Sequence, residues 1–394
     1  MKSSLADWCR AEIENLKEAR TYKQERVLSG PTGARVTVDG RQVLMLTSNN
    51  YLGFANHPRV VRAAQEALAR WGNGLGSVRF ICGTQELHKE LERTISSFFG
   101  TDDTILYMSC WNANEGLFQP LLQEEDALLT DGLNHASIID GVRLCKAKRY
   151  ITPHDDLAAL EKALQQAQDQ RHRLFITDGV FSMEGEVAPL PALADLCERY
   201  DTTLVVDDSH ATGVLGKTGR GTAEELGVRN RVPLTTGTLG KAMGSAAGGF
   251  TTGPAPVIDL LRQRSRTTLF SNSLPPAVTA GSLEAFRMLM EDPAPVAALR
   301  QNALSFRKKM TEAGFTIPNG VHPIVPVIVG ETSKALAMSA ALFERGVYVS
   351  GFGFPVVPQG HARLRCQISA VHSEADLDEA VDAFKHVGHE FGVV

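Results

Sequence analysis

The stretch TTLVVDDSHATG carries an apolar run into two adjacent acids, Asp207 and Asp208, followed by Ser209 and His210. A carboxylate closing such a run is costly to bury unless a cation or hydrogen bonds meet it. Strand alternation encloses Asp207 behind Val206 and turns Asp208 away. Further along, Lys241 stands in TTGTLGKAMGSAAGG, among threonines, glycines and alanines that leave room for a flat group. Taken singly, the acids fit a solvated strand-end turn and the lysine a surface charge. Together, at successive strand ends, they fit one chemistry. The amine forms a Schiff base with an aldehyde cofactor, and the carboxylate keeps a ring nitrogen protonated so that the ring takes up an electron pair. His210 is placed to hydrogen-bond to the phenolic oxygen of such a ring or to a reacting carbonyl.

The cofactor with that aldehyde and that ring is pyridoxal phosphate (PLP), and other residues suit it. His135, in TDGLNHASIIDG, has an imidazole that can stack on a flat ring and offer a proton; capping a helix start at Asn134-His135-Ala136-Ser137 is an equal reading. The turn after TILYM, Ser109-Cys110-Trp111-Asn112, leads into a helix, and its backbone N–H groups at Cys110 and Trp111 suit an anion. The hydroxyls of Thr238 and Ser273 can complete a phosphate cradle. No GxxxxGK[ST] loop occurs, and GNGLGS lacks the GxGxxG spacing and the preceding strand of a dinucleotide turn, which argues against NAD. An amino-acid substrate of such a cofactor needs a receptor for its carboxylate. Arg365, in RLRCQIS, offers a planar fork and shares a strand face with Arg363; a structural salt bridge is the alternative for it. Asn50, in SNNYLG, is a second donor.

The elements that must position these groups alternate between short apolar strands (TILYM, DALLTD, RLFITDGV, TTLVVDDSH, PLTTGTLG) and helices at 114–123, 137–145, 156–168 and 190–200. Such alternation implies an α/β fold with a mostly parallel sheet covered on both sides, and ligands of such sheets sit beyond the C-terminal strand ends. Before it come an amphipathic helix from Leu5 to Lys23, a hairpin at 35–46 turning on Asp39-Gly40, and helices at Pro58–Trp71 and His88–Phe99. After Leu274-Pro275-Pro276 the pattern changes to a long helical region at 277–313 and then a small α+β arrangement. The expected organisation is an N-terminal helix and hairpin segment at 1–50, partly interfacial, a large PLP-binding domain at 51–285, and a small C-terminal domain at 286–394. A net charge of -5 disfavours a general nucleic-acid binder. The six cysteines are scattered without a CxxC pair, so neither a zinc site nor a disulfide framework is expected. With no apolar run long enough for a bilayer and no secretory signal at the start, a soluble, cytoplasmic protein is expected.

The ordered series SNNYLGFANHP, GSVRFICGTQELHKELE, LNHASIIDGVRLCKAKRY, TDGVFSMEG, VVDDSHATGVLGKTGRG, TGTLGKAMG, LFSNSLPP and GFGFPVVPQGHARLRCQIS resembles the α-oxoamine synthase family of PLP enzymes across essentially the whole chain. The resemblance implies fold type I, the aspartate aminotransferase-like fold. It also implies a homodimer with active sites at the subunit interface. Its branches differ in their acyl-CoA and amino acid. The stretch Ser77–Gly83 and the segment HASIIDGVRLCKAKRY resemble the branch that condenses glycine with acetyl-CoA to 2-amino-3-oxobutanoate, a product linked to threonine degradation and to a threonine dehydrogenase. A longer acyl-CoA or another amino acid is the alternative. By resemblance Lys241 is the Schiff-base lysine, Asp207 the partner of the ring nitrogen and His135 the stacking histidine. His210 and Ser182 lie near the phenolic oxygen. Cys110, Trp111, Thr238 and Ser273 cradle the phosphate, with Ser273 from the neighbouring subunit, and Asn50 and Arg365 bind the substrate carboxylate.

Overall fold

The computed structural model describes residues 4–19 and 21–394. Its centre is a seven-stranded sheet, in the order Asp103–Tyr107, Gly249–Gly253, Leu234–Thr238, Thr203–Asp207, Arg173–Asp178, Ala127–Asp131 and Lys148–Thr152. Six of these strands run in the same direction, and Gly249–Gly253 is antiparallel to both its neighbours. The mostly parallel sheet follows from strands that bury both faces. Val205 packs with Leu117 and Ile138 on one side, whereas Leu204 and Val206 pack with Leu193 and Phe175 on the other. Continuing that alternation, Asp207 joins the side of Val205, and Asp208 the side of Val206, where the Thr222 backbone N–H and hydroxyl bond its carboxylate.

Several elements differ from expectation for local reasons. The N-terminal helix is Leu5–Glu18, started by a Ser4–Asp7 capping box, and stops short of Lys23. Thr21 and Tyr22 are poor helix formers, and Arg20, inside the expected helix, lies outside the described residues. The stretch at 114–123 is two helices, Cys110–Glu115 and Phe118–Leu121, parted at Gly116. The region 277–313 is broken at Asp292-Pro293 into Pro276–Glu291 and Ala294–Glu312, because proline cannot continue the hydrogen-bond ladder. Two sheet strands carry no apolar signal: Gly249–Gly253 is glycine- and threonine-rich, and the edge strand Lys148–Thr152 is mostly exposed.

A second core lies beneath the three-stranded sheet of Ile324–Gly330, Ala362–Gln367 and Ser350–Phe352. Leu44 and Leu46 of the N-terminal segment pack into it. The helix Pro276–Glu291 runs unbroken across the 285/286 division, and its Phe286 and Leu289 pack with Leu91 and Phe98 of the large unit. Among the described residues, no helix is long and apolar enough to cross a membrane.

Candidate active site

Three adjacent parallel strands end side by side at Asp178, Asp207 and Thr238, and Lys241 follows the last of them. Asp207 is buried. Its carboxylate accepts the Asn114 amide (2.6 Å) and the Ser209 backbone N–H (2.8 Å), and the Cys110 sulfur lies 3.7 Å away. Asn114 is itself fixed, since the Thr236 hydroxyl donates to its Oδ1 (2.9 Å) and it donates to Ser137 Oγ (2.9 Å). The donors that hold this carboxylate are neutral, so its charge remains available to a cationic ligand. Burial pulls the Lys241 ammonium below its ordinary pKa, and Asp207 is the strongest group opposing that shift. Asp178, in register with Asp207, accepts the His135 backbone N–H (2.6 Å). Burial, then the negative charge of Asp207, pushes its carboxyl well above the usual range.

His135 caps the helix Ala136–Leu144: its Nδ1 accepts the Ser137 N–H (3.3 Å) and meets the Ser137 hydroxyl at 2.8 Å. Capping uses one ring edge, and the residue remains exposed, with Trp111 edge-on at a centroid distance of 6.1 Å. The two readings of this histidine are therefore compatible. Cys110 and Trp111 open the Cys110–Glu115 helix. Gly249 lets that turn lie close, because a Cβ there would stand 2.3 Å from the Cys110 nitrogen. Burial, then Asp207, raises the Cys110 thiol well above its ordinary pKa, so it stays protonated. Thr238 shapes the approach to Lys241, accepting the Gly240 N–H (3.0 Å) and donating to the Gly248 carbonyl (3.2 Å). Ser273 is engaged elsewhere: its hydroxyl donates to the Gly83 carbonyl and its N–H to that of Ser77.

Arg365 and Arg363 both reach the turn between Val180–Phe181 and Glu186–Val187. Arg363 pairs with Glu184 at 3.1 Å. Arg365 donates from Nη1 to the Ser182 carbonyl (2.8 Å), and its buried Nε has no partner among the described residues. The salt bridge weighed for Arg365 thus belongs to Arg363. Asn50 accepts from the Ala55 N–H (3.1 Å) and the Ser245 hydroxyl (3.1 Å). Ser245 stands in the left-handed region at φ 56° and also touches the Lys241 carbonyl, which ties Asn50 to the lysine turn. His210 is buried, and burial followed by the charge of Lys241 holds it well below its ordinary pKa. Its Nδ1 lies 2.9 Å from the Tyr51 hydroxyl, and its carbonyl accepts from His322 at 2.8 Å.

Sequence reasoning did not single out Asn114, Asp178, Tyr51, Gln367 or His322. Asp178 carried the same signal as Asp207, an acid at the end of an apolar run; the others carried none. The residues present suit PLP: a carboxylate among neutral donors, an amine held toward its neutral form, an exposed imidazole, and an arginine whose buried Nε–H has no partner among the described residues.

Comparison with known proteins gives a consistent picture. The family model for aminotransferase class I and II matches residues 41–384. The mitochondrial 2-amino-3-ketobutyrate coenzyme A ligase of Bos taurus is 51% identical over 97% of this chain and 92% of its own length. The ligase of the same name from Escherichia coli strain K12 is 47% identical over 97% of both chains. A high-resolution structure of SPT with its PLP internal aldimine superposes with a TM-score of 0.95 at 28% identity, over the full length of both chains.

Proposed function

The chain belongs to the class I and II aminotransferase family, within its α-oxoamine synthase group of PLP-dependent enzymes, and on that footing we propose that it condenses glycine with acetyl-CoA to give 2-amino-3-oxobutanoate and CoA. The observation that carries the proposal is the meeting of Lys241, Asp207 and Asp178 at neighbouring strand ends, in a chain half identical to 2-amino-3-ketobutyrate coenzyme A ligases.

Bound PLP supplies an aldehyde for an amine and a ring that takes up an electron pair. Lys241 contributes an amine that burial holds toward its uncharged, nucleophilic form, able to take a proton from the glycine α-carbon. Asp207 supplies fixed negative charge for the ring nitrogen. His135 presents its open ring face. The 109–111 turn and Thr238 supply phosphate donors, with Ser273 given by a second subunit of a homodimer. Arg365 and Asn50 bind the glycine carboxylate, and Ser182 and His210 line the phenolic side. His135 or His210 polarises the acetyl carbonyl as CoA departs. Run in reverse, the same residues cleave 2-amino-3-oxobutanoate with CoA, downstream of a dehydrogenase acting on threonine. Free thiols throughout the chain suit a reducing compartment, which supports a cytoplasmic site.

The test is to load the purified protein with PLP, add glycine and a panel of acyl-CoA thioesters, and weigh the products. Release of CoA with a product of the mass of 2-amino-3-oxobutanoate, or of its decarboxylation product, is expected with acetyl-CoA. Turnover only with longer acyl-CoAs would assign the chain to the alternative reading, and no CoA release with any of them would defeat the proposal.

A further inference from the structure

His154 follows the edge strand Lys148–Thr152 and packs edge-on against Phe181, with ring centroids 4.3 Å apart. Its two nitrogens face acids on two different elements. Nδ1 lies 3.0 and 3.2 Å from the oxygens of Asp131, at the end of Ala127–Asp131. Nε2 lies 3.4 Å from Glu186, on the return strand of the hairpin at 180–187. An ionised carboxylate only accepts, so both bonds need a hydrogen on each nitrogen, and only the imidazolium has two. The other charged groups around the ring are acids as well: Asp155 and Asp156 in its own loop, and Glu184 at the hairpin turn, which also pairs with Arg363. Burial opposes the charged ring, but the hydrogen bond and charge of Asp131, followed by those of Glu186, outweigh it and hold the His154 pKa above its ordinary value. Each of the two acids stands at the root of a segment that carries site residues. Asp131 accepts the Leu133 N–H (2.7 Å) and so shapes the turn that delivers His135. Glu186 pairs across from Phe181, and the turn between them carries Ser182, whose carbonyl Arg365 holds at 2.8 Å.

We propose that His154 is a positioning residue: paired at once with Asp131 and Glu186, its imidazolium clamps the His135 turn and the Ser182 hairpin into one arrangement and so sets how Ser182 and Arg365 meet the amino-acid substrate. The inference deepens the proposed function, resting on the reading of His135, Ser182 and Arg365 as site residues. A neutral ring keeps one hydrogen. The shorter contacts retain it on Nδ1, toward Asp131, and Nε2 then turns a lone pair toward Glu186. Because the folded pKa is raised, the link to Glu186 is fully present below the ordinary value of 6.5 and is lost as pH rises through the folded value. Alkaline pH thus frees the return strand while Asp131 keeps its partner.

The test compares the PLP-loaded protein with two PLP-loaded variants at pH 6 and at pH 9. The readouts are deuterium exchange of peptides spanning 180–187 and the glycine dissociation constant, followed by cofactor absorbance. His154→Gln cannot pair with both acids. At pH 6 its hairpin should exchange faster and its glycine dissociation constant should rise about three- to five-fold, the size of a partly exposed ion pair. At pH 9, where the unsubstituted protein has lost the same link, both differences should close. Glu186→Gln, the second variant should His154→Gln not fold, presents an amide that accepts from the charged ring and donates to the neutral one. Its hairpin should match the unsubstituted one at pH 6 and exchange more slowly at pH 9. A His154→Gln defect of equal size at both pH values would make the residue merely structural and overturn the proposal. So would the absence of any difference at pH 6, or a Glu186→Gln hairpin no slower than the unsubstituted one at pH 9. The expected exchange pattern in a protein whose cofactor absorbance does not respond to glycine would sink the condensation reading and leave the clamp standing.

Discussion

Arg365→Lys keeps the positive charge and removes the fork. In the structure Nη1 is committed to the Ser182 carbonyl at 2.8 Å, while Nε is buried and has no partner among the described residues. A guanidinium can hold the turn with one edge and meet a substrate carboxylate with another. A lysine brings a single point charge on a flexible stem and must serve one or the other. The difference is one charge-assisted hydrogen bond, worth about 1.5–3 kcal/mol in a site shielded from water. Glycine affinity should therefore fall by about 10- to 150-fold. The assay is titration of glycine into the PLP-loaded variant, followed by the change in cofactor absorbance, with PLP affinity measured alongside. Because the Arg363–Glu184 pair still anchors the turn, PLP affinity and the KM for acetyl-CoA should hold. Glycine affinity within about twofold of the unsubstituted protein, a difference of under ~0.5 kcal/mol, would refute the assignment of Arg365. So would an equal loss of PLP affinity, which would make the residue structural.

Lys241→Ala should abolish turnover and the Schiff-base absorbance while the protein melts no lower, since it removes a cation that burial disfavours; a persisting band would show that another lysine holds the cofactor. Asp207→Asn should fold but lose most activity, and an undiminished rate would remove its role at the ring nitrogen. Its new amide must point N–H at one of two donors, the Asn114 amide or the Ser209 N–H, and a urea titration should register a loss of about 1–3 kcal/mol. Burial holds His322 down to about 3 against an ordinary 6.5. The folded state therefore binds fewer protons than the unfolded one between those values, and stability falls as pH drops below 6.5 and stops falling below about 3. Between pH 7 and pH 5 this one group costs about 2 kcal/mol. His322→Gln should shrink the stability lost over that interval by about that amount, and an identical loss in the two proteins would contradict the buried, neutral histidine.

The strand ends were legible because they join two strong signals. An unbroken run such as TLVV demands burial on both faces, and the acid that stops it must find partners. That reasoning reached Asp207 and Lys241 and would have reached Asp178, which closes RLFITD in the same way. The strand Gly249–Gly253 was hidden for the opposite reason. Its glycines serve close approach, Gly249 to the Cys110 turn, and neither they nor its threonines mark a strand by alternation. Ser273 illustrates a different limit. A hydroxyl in LFSNSLPP suits a phosphate, yet within one chain it is spent on the Gly83 carbonyl, and no local pattern indicates which bond it makes.

The groups that went unseen share one property: they are neutral or nearly so, and they act on a residue far away in the chain. Asn114 holds Asp207 across 93 positions, and Tyr51 meets Gln367 across 316. An asparagine inside CWNANE reads as an ordinary helical residue, because nothing nearby needs its amide. Yet a buried carboxylate without a cation beside it must be surrounded by N–H donors. The sequence therefore establishes that such a partner exists for Asp207, while the fold decides which residue it is. The same logic orders the experiments: a charged residue is tested by removing its charge, and a neutral partner by watching where a proton sits on the group it serves.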